Sequence, residues 1–207
     1  MHARTDPQPR PDGLDAPERY WAWAAILVTV TLAVLDGTIA IVALPTIAAD
    51  LGASPSASVW VVNGYQLAIV VTLLPLASLG EIHGYRRVYI AGIALFTAAS
   101  LVCALSASLP VLTVARAAQG LGAAGIMSVN SAMLRYVMPR AKLGTAIGFN
   151  SLCVAAAATA GPTLAGLILS VADWRWLFAM NVPLGLVSLV MSARYLPASD
   201  LSKRRFD

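Results

Sequence analysis

Residues Leu109–Leu134 read LPVLTVARAAQGLGAAGIMSVNSAML, an apolar run that holds one charge, Arg116, and is dense in glycine and alanine. A bilayer core of about 30 Å is crossed by roughly 20 apolar residues in helix, so the stretch has the length of a membrane span. It carries too little polar surface to be one face of a water-soluble domain. Five further segments of the same kind flank it, near Trp21–Ala43, Val59–Leu79, Val88–Leu105, Gly144–Val171 and Trp176–Leu196. The 207 residues are 58% hydrophobic and 12% charged, with a mean hydropathy of +0.75. That composition needs lipid as its solvent. The expected fold class is an all-α integral membrane bundle of six transmembrane helices.

The charges between the spans orient the bundle. Arg4, Arg10 and Arg19 precede the first span, Arg86 and Arg87 follow the second, Arg135, Arg140 and Lys142 follow the fourth, and Arg194, Lys203, Arg204 and Arg205 follow the sixth. The other side keeps only Arg175. Short cytosolic loops carry the positive excess, so both termini are expected in the cytosol of a multi-pass cell-membrane protein. Asp50, the Ser106–Leu109 turn and Asp173 then face outward. Tyr20, Trp21, Trp23, Trp174 and Trp176 suit the interfacial belts. Residues 1–19, rich in Pro, Arg and Asp and lacking an apolar signal core, are expected to be a disordered cytosolic tail, which leaves the first span in place. Residues 20–196 form the bundle, and 197–207 are a basic cytosolic segment.

Several function classes drop out. The net charge of +4 is scattered between spans and forms no nucleic-acid face. No HExxH, Walker A, GxSxG or glycine-rich dinucleotide loop occurs, and His2 and His83 stand far apart, so neither an enzyme nor a metal site is expected. Cys103 and Cys153 lie inside apolar runs and read as packing residues.

Two ionisable residues remain at membrane depth, Asp36 and Arg116, and such residues are functional by default. At roughly 1.5 Å of rise per residue, Asp36 lies about 22 Å beyond Trp21 on an outward helix, and Arg116 about 10 Å below Leu109 on an inward one. They share a depth and can neutralise each other or share a watery cavity. A static ion pair that fixes packing is the alternative, though such pairs stabilise poorly compared with apolar packing. Small residues mark the fourth and fifth spans: Gly120, Gly122, Ala123, Ala124 and Gly125, then Ala157, Gly161, Pro162, Ala165 and Gly166. They allow close helix approach, and Pro162 invites a bend. Asn63, Tyr65, Gln66 and Gln119 are polar residues in apolar spans, suited to line a substrate cavity or to satisfy a neighbouring helix.

Taken together, these stretches resemble the major facilitator superfamily and, within it, the fourteen-helix drug:proton antiporters. LDGTIAIVALP, Leu35–Pro45, is similar to the helix-one signature through Asp36, Thr38, Ala43, Leu44 and Pro45, with Ile41 where that pattern has Asn. LASLGEIHGYRRV, Leu76–Val88, resembles the cytosolic gate signature: Leu79, Gly84 and Arg86 match, and Glu81 replaces Asp. RAAQGLGAA, Arg116–Ala124, resembles the helix-four signature through Arg116, Gln119, Gly120 and Gly122. AAAATAGPTLAG, Ala155–Gly166, is similar to the antiporter signature of helix five through Gly161, Pro162 and Gly166. WRWLFAMNVPLG, Trp174–Gly185, resembles the start of helix six.

The resemblance implies one half of a major facilitator fold, built of two inverted three-helix repeats. It implies proton coupling at Asp36 and Arg116, and a cytosolic gate at Glu81, Gly84, Arg86 and Arg87. A helix-five bend is implied at Gly161, Pro162 and Gly166, with cavity contacts from Thr38, Asn63, Tyr65, Gln66 and Gln119. The implied function is proton-driven efflux of small organic drugs or metabolites, with protons, cargo, the bilayer and a second six-helix half or another chain as partners. No cofactor is implied beyond the proton gradient. A transport-inactive scaffold or regulatory subunit is the alternative. One bundle alone is expected to leave Asp36 and Arg116 open to lipid, and the chain by itself to move no cargo.

Overall fold

A computed structural model describes residues 12–197, and all six expected spans appear in it as helices long and apolar enough to cross a membrane. The first is α1, Glu18–Asp50. The second combines a short turn of helix, α2 (Pro55–Ser58), with α3 (Trp60–His83). The third is α4, Tyr85–Ala104, the fourth α5, Leu109–Val137, and the fifth α6, Arg140–Val171. The sixth joins α7 (Arg175–Ala179) to α8 (Asn181–Tyr195). No strand occurs among the described residues.

The helices pack by an exchange between two triplets. α1 lies against α6 and α8, while α5 lies against α3 and α4. Each triplet's first helix is therefore held by the second and third helices of the other, as expected for two like repeats pseudo-symmetrically paired. The third helices, α4 and α8, also touch. This is the architecture of one half of a major facilitator fold.

Two apolar clusters fill the interior. Ala22, Ile26, Tyr89, Phe96, Ile126 and Met133 belong to the one at the arginine-rich end. Ile39, Ile47, Val61, Leu112, Trp174 and Phe178 belong to the one at the other end. Asp36 on α1, Ser100 on α4, and Arg116 and Gln119 on α5 fall between these clusters in their helices, and all four are buried. α3 and α6 turn most of their surface outward, exposing Leu67, Val70, Leu74, Leu152 and Leu167.

Two expectations need correction. The first eleven residues and the last ten lie outside the described residues, but 12–19 are not a loose tail. Leu14 N–H donates to the Val137 carbonyl at 3.0 Å, Asp12 accepts from the Arg140 backbone N–H at 3.0 Å, and Glu18 and Arg19 already belong to α1. Leu14 packs against the apolar cluster beneath it, and burying it is what offsets the ordering of the segment. Nor are Asp36 and Arg116 open to lipid. They are 2% and 0% exposed, because the other helices close around them.

Candidate functional site

Asp36 accepts three hydrogen bonds, one from each of three side chains. Arg116 Nη1 donates to its Oδ2 at 2.5 Å. Gln119 Nε2 and Asn181 Nδ2 both donate to Oδ1, at 2.9 and 2.6 Å. These donors come from α5 and α8, so the first and last spans and the fourth meet at one carboxylate.

Arg116 is held through Nε and Nη1, while its buried Nη2 has no hydrogen-bond partner among the described residues. Its Nε donates to the Val61 carbonyl at 3.2 Å, and its Nη1 also reaches Gln119 Oε1 at 2.6 Å. The guanidinium carbon lies 4.1 Å from the centre of the Tyr65 ring and 5.4 Å from that of Phe178, distances at which the ring quadrupole attracts a cation. Tyr65 is fixed in turn by its hydroxyl, which donates to the Ala33 carbonyl at 2.9 Å. Gln119 Nε2 donates to Ser100 Oγ at 2.8 Å, and Cys103 Sγ–H donates to Gln119 Oε1 at 3.5 Å.

Three of these groups are absent from the sequence expectation. Asn181 and Phe178 lie in the WRWLFAMNVPLG stretch, where an amide within an apolar span is the signal for Asn181. Ser100 carries no sequence signal, since serines bond readily to their own helix backbone. Tyr65 and Gln119, expected as cavity residues, are instead enclosed at 2% and 0% exposure, because each has found its partners inside the bundle. Asn63 and Gln66 are exposed on α3, and Thr38 is half-buried with its hydroxyl on the Leu35 carbonyl at 2.9 Å.

The helix-five stretch divides between two faces. Gly161 is buried against α1, and a Cβ there would collide with the Thr38 hydroxyl. Pro162 and Gly166 face outward, and a Cβ on Gly166 would meet nothing. Pro162 lies within the continuous α6, where its ring nitrogen has no proton for the carbonyl one turn earlier.

At the arginine-rich end, Gly84 separates α3 from α4 with φ +96°, a conformation that favours glycine. Glu81 and Arg87 are exposed on either side of it. Arg86 Nη2 crosses to the Ala193 carbonyl of α8 at 2.5 Å, so this arginine ties α4 to α8 within the bundle. At the opposite end, Arg175 reaches Asp50 at 3.0 Å and Asp173 at 3.3 Å, and Trp174 Nε1 donates to Asp50 at 3.0 Å. Those contacts pin the end of α1 to the start of the sixth span. Among the described residues no group of His, Cys, Asp and Glu is placed to hold a metal.

Comparison with known proteins agrees with this architecture. The sequence model described as Major Facilitator Superfamily matches residues 26–207. An uncharacterized transporter of Escherichia coli (strain K12), YebQ, is 52% identical over 203 residues, which are 97% of this chain and 44% of that protein. The multidrug resistance protein Stp of Mycobacterium tuberculosis (strain CDC 1551 / Oshkosh) is 38% identical over 175 residues, 84% of this chain and 33% of Stp. A structure of the proton:xylose symporter XylE superposes with a TM-score of 0.77 at 14% identity, over 90% of this chain and 46% of that one. The chain thus spans less than half the length of the relatives it matches.

Proposed function

This chain belongs to the Major Facilitator Superfamily, and from that membership and its enclosed Asp36 network we propose that it is the six-helix half of a proton-coupled exporter of small organic molecules. The membership itself makes it part of a multi-pass membrane transporter for small molecules. The observation that carries the finer reading is the setting of Asp36. It is the only buried carboxylate among the described residues, and it takes three donors from α5 and α8. A charge kept between two apolar clusters is costly, and protonating it changes every bond around it at once. The arginine-rich end faces the cytosol in this reading. A proton arriving from outside neutralises Asp36, loosens its hold on Arg116 and α8, and favours release of cargo as the bundle rocks against a second six-helix half.

The multidrug resistance name of Stp supports small organic compounds as the cargo class. The exposed faces of α3 and α6, mostly apolar with Asn63, Gln66, Ser151, Thr159 and Thr163 among them, fit a cavity that grips such compounds by area more than by polar contacts. Glu81, Gly84, Arg86 and Arg87 are proposed as the cytosolic gate, and Pro162 as the point where α6 bends.

The test is transport by the complete protein in liposomes. With an imposed proton gradient, accumulation of a fluorescent organic cation should follow the gradient and collapse with a protonophore, while Asp36→Asn abolishes it and still inserts. Accumulation by Asp36→Asn that still responds to the gradient would make the pair a static packing device.

A further inference from the structure

Asn181 opens α8 after Met180, the single residue that separates it from α7, and two residues later Pro183 leaves the Ala179 carbonyl without its helical N–H partner. The side chain is 1% exposed and its amide nitrogen sits 2.6 Å from Asp36 Oδ1. All three partners of Asp36 are donors, which is what an ionised carboxylate, able only to accept, requires. A protonated Asp36 has a hydroxyl to donate and needs an acceptor. Arginine has none. The Gln119 oxygen already receives Arg116 Nη1 and the Cys103 thiol. The Asn181 oxygen is buried and has no hydrogen-bond partner among the described residues.

We infer that Asn181 is a positioning residue that reads the protonation state of Asp36: its NH2 donates to the carboxylate, and after a half-turn of the amide its free oxygen accepts from the carboxylic acid. The half-turn is about a terminal bond with a broad, roughly two-fold torsion, so it disturbs the surrounding packing little. No covalent bond changes apart from the proton added to Asp36, and that proton is shared with Asn181. The ionisable groups facing Asp36 are Arg116 from α5, Tyr65 from α3 and Cys103 from α4. α6, α7 and α8 bring Gly161, Phe178 and Asn181 to this region, none of them ionisable. Asn181 is therefore the group through which the charge on α1 is felt by α8.

The inference rests on Asp36 being the proton site, and infrared difference spectroscopy of the complete transporter in lipid separates the two. The carboxyl band lost in Asp36→Asn belongs to Asp36. In wild-type protein with 13C-labelled asparagine amides, an amide carbonyl band should shift as that carboxyl titrates, and the shift should vanish in Asp36→Asn. In Asn181→Leu the acid band should move to higher frequency, having lost its acceptor. The labelled wild type carries the test if Asn181→Leu fails to insert. An Asp36 band that titrates with no amide response overturns the role of Asn181 and leaves proton coupling standing. If no pH-responsive carboxyl band is lost in Asp36→Asn, both are overturned.

Discussion

The guanidinium of Arg116 lies 4.1 Å from the centre of the Tyr65 ring, whose hydroxyl is spent on the Ala33 carbonyl. Ring and hydroxyl thus do separable jobs. Tyr65→Phe should lower the melting temperature slightly, by the equivalent of about 1 kcal/mol for one buried neutral bond. Tyr65→Leu should cost more, since a desolvated cation–π contact is worth about 2 kcal/mol. Thermal scans of the purified variants in one detergent rank them, and equal melting points would show that the ring does not hold Arg116.

Arg116→Ala should be far more damaging than the loss of both charges together. Removing one partner strands the Asp36 carboxylate between apolar clusters, at about 3–5 kcal/mol. Asp36→Asn combined with Arg116→Ala removes both charges and strands neither. A double-mutant cycle on thermal stability should give a total well below the sum of the single changes, and strict additivity would show that the two charges do not interact.

The two outer glycines of the helix-five stretch should respond in opposite ways. Gly166→Ala meets open space in a helix and should be neutral or stabilising by up to about 1 kcal/mol. Gly161→Ala drives a methyl into the Thr38 hydroxyl and should destabilise, with partial recovery in the double variant with Thr38→Ala. Equal stability of the two single variants would mean that α1 and α6 do not approach as closely as described.

At the end opposite the arginine-rich one, Trp174 should outweigh Arg175. Arg175 and its acidic partners are partly exposed, and such pairs contribute about 0–1 kcal/mol, less at high salt. Trp174 is 1% exposed and packs edge-on to Phe178, so Trp174→Ala should cost about 3–5 kcal/mol. The loss of melting temperature caused by Arg175→Ala should shrink at high salt, while the loss caused by Trp174→Ala should not.

The spans were legible because apolar length is a property of the chain alone. Their ends were less so. The reading stopped the first span at Ala43, yet α1 runs on through Pro45 to Asp50, since a proline in a membrane helix is tolerated where neighbours re-satisfy the backbone. The common depth of Asp36 and Arg116 followed from helix rise, and their pairing agrees with it. Helix phase was not legible. In lipid the outside of a helix is as apolar as its inside, so nothing in the sequence says that Tyr65 and Gln119 point into the bundle while Asn63 and Gln66 point out of it. Asn181 was visible as a polar residue, but its partner lies 145 positions away.

The exchange of first helices between the triplets has a consequence for synthesis. α1 is made before α6 and α8, the helices that embrace it. Asp36 enters the membrane 80 residues ahead of Arg116, and until that arginine arrives its carboxylate has no counter-charge. Until α5 and α8 are in place, α1 lacks the side chains that enclose Asp36. A ribosome stalled after α4 should therefore yield a product that quality-control proteases remove rather than a stable three-helix intermediate.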